Sequence, residues 1–92
     1  MDIFVSKFVN SIIDNLDHKE LNEAYDRIFQ QVEQLTKEGV EPIVIAGTLM
    51  AQSMRLYRTL LSEPDFEKMM DTIFGKLNEI EPYSPKDKTL LH

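Results

Sequence analysis

From Pro42 to Ser62 the chain reads PIVIAGTLMAQSMRLYRTLLS, a stretch that is apolar around more than half of a helix circumference. At about 100° per residue, Thr48, Gln52, Arg55, Arg58, Thr59 and Ser62 gather into one polar stripe. The remaining arc is roughly 200° wide, against the ~100° of an ordinary surface helix. Ile45, Leu49, Leu56 and Leu60 lie on one side of it. Ile43, Gly47, Met50, Met54, Tyr57 and Leu61 lie on the other. Water is a poor neighbour for either side, so such a helix needs cover on two flanks, from its own chain or from a second copy. The first set suits an intrachain core. The second is the expected interface, meeting either the first helix or a symmetry mate.

The rest of the chain supplies three narrower amphipathic stripes. Ile3, Phe4, Phe8, Val9, Ile12, Ile13 and Leu16 recur at helical spacing, with Asp2 placed to cap their start. Asp17 followed three residues later by Glu20 resembles a capping box and favours a new helix there. A continuous helix through His18 is the alternative. Leu21, Ala24, Tyr25, Ile28, Phe29, Val32 and Leu35 form the second stripe. Gly39 then stands where a left-handed terminating residue belongs, and Pro42 opens the third helix at its first position. Ser62-Glu63-Pro64-Asp65 starts a fourth helix, whose stripe runs from Phe66 through Ile73 to Ile80 before Pro82. The expectation is an all-α, compact four-helix bundle over residues 1–81, built of up-down hairpins around a central third helix. An irregular tail over 82–92 follows, in which Leu90-Leu91 could dock.

Charge bears on the partners. Sixteen acids against ten bases give a net −6. Residues 1–38 carry eight acids and four bases, residues 63–81 six acids and two bases, and the third-helix region is +1. An acidic exterior repels phosphate backbones and anionic lipid, so neither nucleic acid nor a membrane surface is expected as a partner. A helix-turn-helix reading of Leu35 to Leu61 fails as well, because its second helix would offer the groove mostly Ile, Leu and Met. No apolar run approaches the ~18 residues of a membrane span. Asp2 stands where the basic region of a signal peptide would be. With no cysteine, the chain has no disulfide framework or thiolate site, and the reading is a mature cytoplasmic protein.

Residues that carry chemistry elsewhere are poorly grouped in this sequence. His18 has Asp14 and Asn22 on its face but lacks the further nitrogen ligands of a metal site. Glu20/Glu23 and Glu38/Glu41 have the Glu-x-x-Glu spacing with which all-helical nucleotide pyrophosphatases hold magnesium. The second pair straddles a turn, and no Glu-x-x-Asp partner follows, since Glu67 and Asp71 are four apart. The serines have no histidine at a predictable distance, and the three glycines form no phosphate loop. Arg55 and Arg58 are the one basic spot, suited to ion pairs with the acidic helices or to gripping an anion or a partner. Gly47, on the apolar arc, permits close approach of another helix, whereas Gly75 has no evident packing reason. Met50, Met54, Met69 and Met70 fit a core or an adaptable groove.

The sequence therefore points to a small acidic interaction module, non-enzymatic and without cofactor, an adaptor or regulator that pairs as a homodimer. The alternative is a metal-dependent all-α nucleotide pyrophosphohydrolase-like enzyme.

Overall fold

The computed structural model describes residues 2–83, and the Leu90-Leu91 pair of the expected tail lies outside them. Four α-helices follow in order, α1 Ile3–Ile12, α2 His18–Lys37, α3 Pro42–Leu60 and α4 Glu63–Phe74, with a 3₁₀ turn at Leu77–Glu79 and no strand among the described residues.

The helix starts follow the local chemistry. Extended Asp2 accepts hydrogen bonds from the backbone N–H groups of Phe4 (2.8 Å) and Val5 (3.4 Å), satisfying two donors that have no partner within the helix. Asp17 does the same for Lys19 (2.9 Å) and Glu20 (3.3 Å), so α1 and α2 are separate helices. Pro42 lies in the first turn of α3, and the Ser62 hydroxyl accepts from the Asp65 N–H at 3.3 Å at the start of α4.

The helix ends are less regular. Gly39 sits at φ +91°, a conformation that costs glycine little, and lets the Val40 N–H donate back to the Leu35 carbonyl at 3.0 Å. Two helices stop earlier than periodicity predicts. The first was expected to reach Leu16, but Ile13 is extended and Asn15 adopts φ +55°, a left-handed turn that asparagine tolerates. The fourth was expected to reach Ile80, but Gly75 ends it, with its N–H donating to the carbonyls of Asp71 and Ile73. That gives Gly75 its role: poor helix propensity ends α4, and the chain tightens into the 3₁₀ turn.

The helices form a compact all-α bundle in which α2 packs on α3, α3 on α4, and α4 on α1. Loops of four and two residues make α2–α3 and α3–α4 hairpins. Beyond the end of α4, Tyr83 is half-buried with its ring edge-on to Phe29 of α2, 5.9 Å between centroids.

The core is thin. Among the described residues only Leu21, Val32 and Ile45 are buried. The expected core side of α3 is therefore corrected. Ile45 is 5% exposed, but Leu49 is open, Leu56 is 62% exposed and Leu60 75%. Ile45 meets Val32 and Leu35 of α2 near their shared loop, and Leu56 and Leu60 lie roughly three to four turns farther along α3.

Candidate interaction surface

Burial along α3 changes sides between its two halves. In the first half the flank of Ile45 faces α2, where Val32 and Leu35 lie beside it. In the second half Met54, Tyr57 and Leu61 are half-buried, and these project from the opposite flank. There Leu61 shares a cleft with Ile12 of α1 and Met69 of α4. The Arg58 guanidinium lies 5.1 Å from the centre of the Phe66 ring, a cation–π contact that ties the end of α3 to α4.

What neither neighbour covers is a diagonal band. It starts at Ile43 (79% exposed), passes Ala46, Gly47 and Met50, crosses Ser53, and reaches Leu56 and Leu60. Ala46 and Gly47 each lie three or four residues from both Ile43 and Met50, and Ser53, Leu56 and Leu60 follow at steps of three, three and four, so they adjoin on the helix surface. A Cβ built on Gly47 meets nothing within 4 Å among the described residues, so none of them packs against Gly47. Of the six residues expected to form one seam, Ile43, Gly47 and Met50 are exposed, whereas Met54, Tyr57 and Leu61 turn toward the chain's own helices. Leu56 and Leu60 belong to the band and were missed, because sequence periodicity cannot distinguish which of two apolar flanks a neighbour reaches.

A second feature adjoins the band where α3 meets α2. Between α2 and α3 runs an open groove of about 630 Å³. Val32, Leu35 and Ile45 form its floor, and exposed Ile28, Val44 and Leu49 form its lips. Its polar rim is Arg27, Gln31, Thr48 and Gln52. Arg27 is the only ionisable residue lining it, and no carboxylate does.

The basic residues do not pair as expected. Neither Arg55 nor Arg58 forms an ion pair among the described residues. Arg58 takes the Phe66 ring, and Arg55 lines a shallow cleft with Gln52, Leu56 and Thr59. Arg27 does pair with Glu23 one turn back at 3.4 Å, but both side chains are largely in water, so the contact contributes a few tenths of a kcal/mol.

The carboxylate pairs fall on exposed positions. Glu20, Glu23, Glu38 and Glu41 are all on the surface, as is His18 at the first position of α2. Glu38 accepts a hydrogen bond from the Gln34 amide at 2.7 Å. No group of three or more His, Asp or Glu side chains placed to hold a metal ion occurs among the described residues. Nor is any helix there long and apolar enough to cross a membrane.

Compared with known proteins, the chain matches no family model, no curated protein and no solved structure.

Proposed function

We propose that the protein is a non-enzymatic interaction module, a small adaptor or regulator, and that it pairs with a second copy of itself through the diagonal band of α3. The observation that carries this reading is the exposure of Ile43, Met50, Leu56 and Leu60 on one continuous surface. These four side chains expose several hundred Å² of apolar surface on a single helix, toward the ~800 Å² that each partner gives a standard interface. A monomer of this size seldom leaves so much uncovered.

Two-fold pairing suits the band's layout. Small residues, Ala46, Gly47 and Ser53, flank Met50 in its middle, and its ends carry Ile43, Leu56 and Leu60. Two copies crossing at the middle bring backbones close while the large side chains of each end fill space beside the partner. With no acid between Pro42 and Leu60, the pairing brings no carboxylates together. Arg55 and Arg58 lie off the band and are left for contact with an anion or another protein. A cytoplasmic location is part of the reading, in keeping with the cysteine-free sequence.

Light scattering after size exclusion at micromolar concentration tests it. The expected result is a dimer that Met50→Glu and Leu56→Glu each convert to a monomer with unchanged helical circular dichroism. A wild-type chain that stays monomeric across that range, or a dimer indifferent to both changes, overturns it.

A further inference from the structure

The groove between α2 and α3 adjoins the far end of the band, where its rim residue Gln52 shares a cleft with Leu56, but its lining points to a different occupant. We infer that it takes an amphipathic helical segment of a partner protein, with apolar side chains in the floor and acidic side chains toward Arg27 and Arg55.

Shape comes first. The lining runs from Arg27 to Leu35 on one wall and from Val44 to Gln52 on the other, a length of roughly 12 Å. That matches three apolar residues spaced i, i+3 or i+4, and i+7 on a docking helix. Val32, Leu35 and Ile45 give such residues an apolar bed, and Ile28 and Leu49 rise on either side. The rim amides and hydroxyl of Gln31, Gln52 and Thr48 are available to a helix's polar flank.

Charge then selects among helices. In a chain of net −6, this groove is lined by one arginine and no acid. Because α2 and α3 are antiparallel neighbours, Arg27 and Gln52 lie at the end of the groove away from their connecting loop, and Arg55 follows one turn beyond Gln52. Both arginines stand at that end, and Glu23, which pairs with Arg27, is held in a water-exposed contact that a better-placed acid displaces. The exposed band of a second copy fits poorly, since α3 has no acid and two arginines, the wrong sign for this groove.

The test uses the full chain and two synthetic helical peptides of about four turns, each with Leu at i, i+4 and i+7. One carries Glu on both flanks and the other Lys, and binding is followed by fluorescence anisotropy. The Glu peptide is expected to bind about tenfold or more tightly than the Lys peptide, with the gap narrowing as salt rises. Ile28→Lys, at a position 53% exposed and so harmless to the fold, is expected to weaken the Glu peptide about tenfold. Arg27→Glu combined with Arg55→Glu is expected to reverse the preference. Equal affinity for the two peptides, no binding of either, or binding that Ile28→Lys leaves intact overturns the inference. So does binding that emerges only when residues 84–92 are removed, since the groove would then belong to the chain itself. If Ile28→Lys instead dissociates a dimer, the occupant is a second copy and the inference also falls. A strictly monomeric chain that still prefers the Glu peptide would defeat the pairing through the band and leave this groove assignment standing.

Discussion

The two halves of α3 have nearly the same composition of large apolar side chains and opposite fates. In the first half the flank of Ile45 is buried and that of Ile43 and Met50 is bare. In the second half the flank of Met54 and Leu61 is drawn inward, while that of Leu56 and Leu60 is bare. The cause is connectivity. A hairpin neighbour covers most surely the end to which its loop ties it. The four-residue loop before Pro42 holds α2 against the start of α3, and the two-residue loop after Leu60 holds α4 against its finish. With twelve residues, α4 is only about 18 Å long and falls short of the roughly 28 Å of α3. A helix that is apolar on both flanks, given one neighbour per half, is left with a diagonal of uncovered surface.

Four substitutions probe this contrast, one on each covered and each bare flank, with stability read by urea unfolding at a dilution that keeps the chain monomeric. The largest effect is expected at Ile45, where truncation to Ala removes a buried side chain from a core of three and costs about 3 kcal/mol. A loss under ~1 kcal/mol there would mean that α2 is not the true cover of the first half. Met54→Ala comes next, at about 1.5 kcal/mol, because the side chain is only half-buried and its space partly collapses. If Met54→Ala proves as mild as a surface change, the inward turn of the second half is wrong.

On the bare flanks the sign changes. Gly47→Ala is expected to raise stability by about 1 kcal/mol, since alanine is the better helix former and the added methyl meets nothing. The bulkier Gly47→Leu, measured at micromolar concentration, is expected to weaken pairing without lowering the stability of the monomer. Destabilisation of the dilute chain by Gly47→Ala would reveal a neighbour within the same molecule. The smallest effect belongs to Leu60→Gln, expected within ~0.5 kcal/mol of wild type. A clear loss at that site would place Leu60 back in the core, where periodicity alone had put it.

Most of the helical framework was legible before any coordinates, because its signals are local. Asp2, Asp17 and Ser62 each supply an acceptor to backbone donors a few residues on, Pro42 gives up a donor that is not needed, and Gly39 takes a φ that other residues avoid. The two misplaced ends fail for one reason. Apolar spacing continues through Leu16 and Ile80 after the backbone has left the helix, because spacing alone does not report where the turn chemistry of Asn15 and Gly75 takes over. Leu16 remains half-buried beyond the left-handed Asn15.

The candidate interaction surface was legible only as a surplus. Residues 42–62 announced more apolar arc than one neighbour can cover, and the local rules for caps and turns fixed where each helix begins. Which arc stays bare is a long-range matter, decided by where α2 meets α3 and how soon α4 ends. Neither quantity is written in the periodicity of α3 itself, since a side chain's preference for burial is the same on either flank. Packing alone chose between Ile45 and Leu56, and between Met54 and Met50, because apolar attraction has no direction and the hairpin loops supply one.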